Sequence, residues 1–334
     1  MAKDSTDAKI LVELGGVLYD YEALTDSGDH LTFQVATAGR LFSMLAAQKP
    51  LIRPDGILTG LEVTPAASGT DDLVDVSAGT AWINGALVTL AAADVDVAVA
   101  RATPADTHKI SSLTLTSAGA VAVVAGVDHT AFSETRAADG GPPLIPVTSI
   151  ELAQARLTGT AAAVLDSEIF AVPNQHRELA AYPVYEVKPM GSAGRAQVVF
   201  SEALPLIHTG AIAKKVYARY TNPSFATLTE CSEVKLPRDT ASQSEDATYD
   251  GPRAAVKWGR GTGSVTHLHD GSGTALIMQV KGAQRFLKFY PDKYLTGYWI
   301  MLATLGVADE YPVGGNMRAS ISLGAQAEPV WIQP

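Results

Sequence analysis

Tyr311-Pro-Val-Gly-Gly-Asn-Met-Arg-Ala-Ser-Ile-Ser-Leu323 decides how this chain folds. The Pro312-Val-Gly-Gly315 turn feeds a strict alternation. Met317, Ala319, Ile321 and Leu323 fall on one side, and Arg318, Ser320 and Ser322 on the other. That pattern predicts a strand with one dry face and one wet face. The first set is assigned to the subunit core, and the second to an exposed wall. A half-polar strand here suits a subunit whose sheet lines a wet surface or joins a neighbour's sheet.

The rest of the chain has the same texture. Short runs of Val, Thr, Ala and Ile are punctuated by Gly and Pro, which predicts a mainly β protein. A chain of 334 residues with 47% hydrophobic content can bury one large core or two smaller ones. The single cysteine, Cys231, supports neither an internal disulfide nor a cysteine-based zinc site. The polar start, Met1-Ala-Lys-Asp-Ser-Thr-Asp7, lacks the apolar core of a secretory signal, and synthesis in a cytoplasm is expected. The best apolar stretch, Gly85 to Ala100, is interrupted by Asp94 and Asp96, so no membrane span is expected.

Charge and aromatic content divide the chain. Residues 1–50 carry a net −3, residues 51–180 a net −9 and residues 181–334 a net +2, giving −10 in all. Only Trp82 and Phe132 are aromatic between 51 and 169, against 17 aromatics from Phe170 onward. An acidic, aromatic-poor β-domain is therefore expected over 52–150, inserted between residues 1–51 and a larger β-domain over 151–334. Within it, Asn84-Gly85 separates Thr80–Ile83 from Ala86–Leu90 and predicts a two-residue type I′ hairpin, because both turn positions need positive φ. A second hairpin is expected over Lys109–Ala125, turning at Ser117-Ala118-Gly119. Gly140-Gly141-Pro142-Pro143 reads as a stiff connector closing the domain.

Leu31 to Gln48 is the best helix candidate, with Leu31, Val35, Leu41, Phe42 and Leu45 at roughly helical spacing, Asp29 or Ser27 as cap and Lys49-Pro50 as stop. Val216, Ala218 and Tyr220 alternate with Lys215, Tyr217 and Arg219, as in a strand. Leu276–Val280, Gln284–Phe289 and Tyr298–Leu305 are read as further strands. Pro237–Pro252 is polar and acidic and reads as an exposed loop, with Arg238, Asp239, Glu245, Asp246, Tyr249 and Asp250 as its candidate contact residues.

Catalytic signatures are weak. Gly259-Arg-Gly-Thr-Gly-Ser264 has no Lys-Ser/Thr ending and breaks the dinucleotide spacing at Ser264, so it reads as a loop or hairpin tip. His267 and His269 alternate beside Asp270 and are the one clustered metal-ligand signal, without an evident third ligand. No Gly-X-Ser-X-Gly elbow is present, and Cys231 lacks an evident base. No enzyme activity and no cofactor are expected. The alternative of a metal-dependent hydrolase rests on His267 and His269 alone.

The segment Tyr311–Leu323, followed by Pro329-Val-Trp331, resembles the end of tail tube proteins of long-tailed bacteriophages. Gly210–Pro237, with Lys-Lys-Val-Tyr-Ala and Thr-Asn-Pro-Ser-Phe, resembles phage virion proteins, and Val76–Gly85 resembles small β-domains of phage fibres, baseplates and tail decorations. The resemblance implies a β-sandwich or barrel with a flanking helix, plus a second small β-sandwich-like domain. It implies hexameric rings stacked into a tube that conducts DNA. Partners would be further copies of the chain and the tape measure, tail terminator and distal tail proteins, and DNA would pass without specific binding. The location would be the virion, with no membrane. Arg318, Ser320 and Ser322 would face the lumen, and the 237–252 loop an adjacent ring. The net charge of −10 suits a wall that does not grip DNA. Arg318 then needs an acidic partner such as Glu310 or Glu328. The alternative of the same origin is a tail fibre or baseplate component that binds a host receptor or glycan through the middle domain.

Overall fold

The alternating stretch forms the strand Arg318–Ala325, and that strand lies in the interior of a sheet. The computed structural model describes residues 8–44, 49–67, 73–91, 97–99, 101, 108–159, 163–171, 184–248, 251–313 and 315–333; for 97–98, 240–248 and 251–258 it describes the backbone alone. The chain is mainly β. Arg318–Ala325 pairs antiparallel with Gly263–Leu268 on one side and with Tyr298–Glu310 on the other. Both of its edges are therefore satisfied, and it cannot accept a neighbour's strand.

The sheet that contains it has nine strands. Its order is Cys231–Lys235, Gly263–Leu268, Arg318–Ala325, Tyr298–Glu310, Gln284–Tyr290, Lys9–Ala23, Val216–Leu228 and Leu51–Pro54, with Val330–Ile332 also paired to Tyr298–Glu310. Every one of these pairings is antiparallel. One face packs on the helix Gly271–Val280, whose buried Leu276, Ile277 and Val280 meet Val12, Leu287, Leu305, Ile321 and Leu323. Burying large aliphatic side chains stabilises by roughly 1.5–3 kcal/mol each, so this face organises the sheet.

The helix corrects two expectations. Leu276–Val280 is helical, not a strand. Asp270 caps it by accepting the Gly273 amide, and Thr229 donates to the other Asp270 oxygen at 2.6 Å. The helix expected over 31–48 is absent from the described residues 31–44. Asp26 accepts the amides of Gly28 and His30, and Asp29 accepts those of Leu31 and Thr32. These bonds close a turn that delivers Thr32–Gln34 into a small sheet against Gln197–Val199. The apolar residues that suggested a helical stripe serve different cores: Phe33, Val35 and Phe42 pack with Val198 and Phe200, while Leu41 packs with Phe286 and Ile300. Residues 45–48 lie outside the described residues.

The middle module follows its local signals. Asn84 (φ 52°) and Gly85 (φ 80°) turn between Gly79–Ile83 and Ala86–Leu90, and His108–Thr116 returns through Gly119 to Val121–Val124. Its limits differ from those expected. Leu51–Pro54 belongs to the nine-stranded sheet, and the module begins at Gly56. Residue 150 falls inside Ser149–Thr158, which pairs with His108–Thr116 and with Ile169–Ala171, so the module runs to Ala171. Gly140–Pro143 is folded back onto the module: Gly140 donates to the Val127 carbonyl, and the Pro142 carbonyl accepts from Ala137. No helix among the described residues is long and apolar enough to cross a membrane.

Candidate assembly surface

Three features of the nine-stranded sheet face outward. The first is the wet side of Arg318–Ala325. Ser322 lies between Ser264 and Gly306, and Ser320 between Thr266 and Ala308, so hydroxyls and small residues form short rows across three strands. Arg318 is exposed, and its Nε donates to Glu310 Oε2 at 2.8 Å. The wall it belongs to is polar, with this ion pair at one end and the exposed Lys235 beside Ser264 at its edge. On the opposite side Ala319, Ile321 and Leu323 are buried. Met317 is not; it precedes the strand and is 57% exposed, held by a bond from the His269 amide to its carbonyl. The alternation is real, but the strand starts one residue later than the pattern did.

The second feature is a long hairpin. Pro237–Pro252, expected as a loop, is largely strand: Asp239–Thr248 pairs with Gly251–Arg260 as a sheet of only these two strands. Polar composition hid it, because β-pairing of a wet ribbon needs no apolar alternation. Its root is fixed. Arg238 stacks on the Trp299 ring at 4.6 Å, Arg260 pairs with Asp239 at 3.3 Å and donates to the Gln326 carbonyl, and the Gly261 amide donates to the Arg238 carbonyl at 3.0 Å. A Cβ on Gly261 would meet that carbonyl oxygen at 2.4 Å, so the glycine-rich run is a tight corner where the hairpin leaves the sheet. Glu245 and Asp246 lie on the first strand of the hairpin; Tyr249 and Asp250 lie outside the described residues.

The third is a cleft of about 820 Å³ between the start of Tyr298–Glu310 and the strand Tyr185–Lys188. Phe286, Ile300, Leu302, Val187 and Met190 line it, with Lys49, Glu186 and Glu328 among its polar members. Sequence gave no sign of it, because its walls come from segments more than a hundred residues apart.

The histidines seen in sequence serve the fold. His267 is fully buried, with Nδ1 3.0 Å from the Thr229 carbonyl and Nε2 3.4 Å from Thr274 Oγ1. His269 approaches Thr274 through Nδ1 at 3.2 Å and Asp309 through Nε2 at 3.6 Å, and stacks on Tyr311. Asp270 is occupied as the helix cap. Among the described residues no group of three or more His, Cys, Asp or Glu side chains is placed to hold a metal ion. Burial pushes the Cys231 thiol up to about 12, with Asp270 and Glu230 adding to the shift, so this thiol is a poor nucleophile at neutral pH.

A polar cluster that sequence did not single out fills the seam between module and sheet. Asp55 accepts the Asn84 amide at 3.0 Å, and Lys215 Nζ donates to Asn84 Oδ1 at 2.8 Å. Burial raises the Asp55 carboxyl to about 7 and lowers Lys214 to about 8. It also lowers His208, whose Nδ1 meets the Pro146 carbonyl at 3.1 Å, to about 4. Arg53 lies over the Trp82 ring at 5.0 Å, and Trp82 packs on Tyr21 at 4.5 Å. The module is mounted on the sheet through these contacts as well as through its two chain connections. No protein-family model matches the chain, and a search of curated proteins finds no match.

Proposed function

We propose that this chain is a self-assembling structural subunit of a phage tail tube, stacking as hexameric rings through which DNA passes into the host. The observation that carries the reading is the Asp239–Arg260 hairpin, a two-stranded sheet that leaves the body at a pinned root. Strands of ten residues reach roughly 33 Å. A lone two-stranded ribbon is at best marginal in water, so a neighbouring subunit is the natural source of its missing packing. The resemblance of Tyr311–Leu323 to tail tube proteins supplies the identity of the assembly.

The wall made by Ser264, Thr266, Ser320 and Ser322 supports the same reading. DNA slides over hydroxyls and small residues without the counterion release that makes basic surfaces adhesive. Glu310 neutralises Arg318, the one cation of that strand. Partners would be further copies, then the tape measure, terminator and distal tail proteins, in the virion.

Replacing residues 240–258 with a short turn tests the reading. Negative-stain images of the purified protein should show rings or tubes, and the shortened variant should keep its circular dichroism yet lose them. A protein that stays monomeric at high concentration, even with tail extract, would count against a tube. The separately cored middle module supports a second reading, a fibre or baseplate component that binds host receptors or glycans. Trimers in solution, host-cell binding and low copy number per virion would favour it.

A further inference from the structure

The two outermost strands of the nine-stranded sheet are blunted, but an edge inside it is not. Leu51–Pro54 follows Pro50 and ends on a second proline. At the other margin, Cys231–Lys235 is interrupted by a register shift between Ser232 and Val234, where Glu233 has φ 45°, and it ends on a lysine. Prolines, bulges and lysines keep a sheet edge from pairing with another chain. Lys9–Ala23 differs. Only its Lys9–Val12 portion pairs with Gln284–Tyr290. Beyond it, Leu14-Gly-Gly-Val-Leu-Tyr19 pairs on one side alone, with Val216–Leu228. These residues include no charge and no proline. Leu14 is 37%, Val17 64% and Leu18 51% exposed.

Neighbouring bonds fix the phase of this edge. The Thr221 carbonyl accepts the Ser43 amide, and Pro223 has no amide to give, so both residues face away from Lys9–Ala23. Leu18 and Gly16 lie opposite them and therefore direct their amides and carbonyls outward. Among the described residues nothing pairs with those groups. Gly15 is a second, independent sign. A Cβ there would meet nothing within 4 Å, and its φ is not positive, so the fold itself does not call for glycine. Glycine inside a strand weakens it and often marks the close approach of another backbone.

We infer that this edge pairs with the same edge of a second copy, antiparallel about a two-fold axis at Val17. The pattern of the edge picks the partner. With Val17 opposite itself, Leu18 falls opposite Gly16 and Tyr19 opposite Gly15, so each bulky side chain meets a glycine of the other copy. The outward groups of Gly16 and Leu18 then exchange hydrogen bonds across the axis. Asp20, held by Arg219 of its own chain at 3.0 Å, falls opposite Leu14 and not opposite another acid. The contact is isologous and closes on itself. It does not rest on the tube reading. No such two-fold relates the subunits of a polar tube, so the pair is the form of the free subunit, with this edge covered. An edge roughly 20 Å long buries less than the roughly 1,200 Å² of a stable complex, so the pair is reversible.

Sedimentation and a symmetric disulfide test it. In a Cys231→Ser background, Val17→Cys places two thiols across the axis. Opposed Cα atoms of a non-hydrogen-bonded pair lie about 4.5 Å apart, within disulfide reach. Mild oxidation should give a covalent dimer, while Leu14→Cys, displaced from the axis, should not cross-link. Analytical ultracentrifugation of the Cys231→Ser parent should show dimers forming as concentration rises. Val17→Lys sets like charges face to face and should raise the concentration needed for pairing roughly tenfold or more. Its circular dichroism should not change, since Val17 is exposed. A parent that is monomeric at every concentration, or a Val17→Lys variant that pairs as the parent does, would overturn the inference. Rings or tubes formed by that same protein would leave the tube reading standing. Dimers that never give rings or tubes would uphold the edge and count against the tube.

Discussion

Two polar sheet faces in this molecule meet opposite fates. In the middle module, Ser112, Thr114, Glu151 and Gln154 on His108–Thr116 and Ser149–Thr158 are buried. The 126–146 segment lies over them and sends Arg136 to Glu151 at 2.5 Å and to the Pro143 carbonyl at 2.6 Å. Ser112 donates to the same carboxylate. In the nine-stranded sheet, Ser264, Thr266, Ser320 and Ser322 make a similar polar face that nothing in the described chain covers as deeply; Ser322 is exposed. One module satisfies its polar face internally and is complete. The other leaves its face to water. Polar alternation is the same signal in both, and it does not say which face the chain will cover.

Breaking the covered face should have the largest effect. Arg136→Ala takes the guanidinium away from a buried carboxylate and leaves Ser112 and Gln154 as its named donors, which should cost about 3–5 kcal/mol. Urea unfolding followed by hydrogen exchange should show the middle module opening first while the nine-stranded sheet stays protected. Loss of protection across both at once would mean the modules are one cooperative unit.

The seam between them sharpens the comparison through pH. His208 has a lowered folded-state pKa, so its contribution is present above 6.5 and is lost as pH falls toward 4. Asp55 has a raised one, so its contribution is present below 3.8 and is lost as pH rises toward 7. Each amounts to something on the order of 3–4 kcal/mol, with opposite slopes over the shared window. In the intact protein these two contributions should nearly cancel between pH 6.5 and 4. Asp55→Asn should unmask His208 and make stability fall on acidification, by about 3 kcal/mol in denaturant titrations. A flat profile in that variant would remove His208 from the account.

On the dry side of the open face, Leu323→Ala should cost about 2–4 kcal/mol by leaving a cavity against the helix. Ser322→Ala, one residue away on the wet side, should change stability by less than about 0.5 kcal/mol. A large effect at Ser322 in the unassembled protein would mean its hydroxyl is part of the fold. Smallest of all is the Arg318–Glu310 pair. Both side chains are 53% exposed, so a double-mutant cycle should give about 0.2–1 kcal/mol, declining with salt.

Legibility in the sequence followed the range of the interactions. Asn84-Gly85 fixes its hairpin because the turn needs only local dihedrals. Ile321 and Leu323 read correctly because a two-residue period is a local property of a strand. The 31–48 stretch misled because its apolar residues answer to separate cores, and because Asp29 closes a turn with the same amide bonds that would cap a helix. The real helix was short and opened on Gly-Ser-Gly, so its one clear signal was the Asp270 cap. The cleft and the seam were invisible, since each brings together residues whose separation in sequence carries no pattern. Asp55 and Lys215, which approach Asn84 from two sides, are one example.

The tryptophans give each half of the molecule an optical signature of its own. Trp82 is buried in the seam beneath the Arg53 guanidinium and beside Tyr21. Trp299 and Trp331 sit 5.2 Å apart at 58° in the nine-stranded sheet. Two indoles that close and that tilted couple their transitions, so the end of the chain should give a near-ultraviolet dichroic couplet that vanishes when Val330–Ile332 lifts off. Trp82 emission reports the seam in a variant with Trp258, Trp299 and Trp331 replaced by Phe. Unfolding of the module and detachment of the Val330–Ile332 strand can therefore be followed as distinct spectral events.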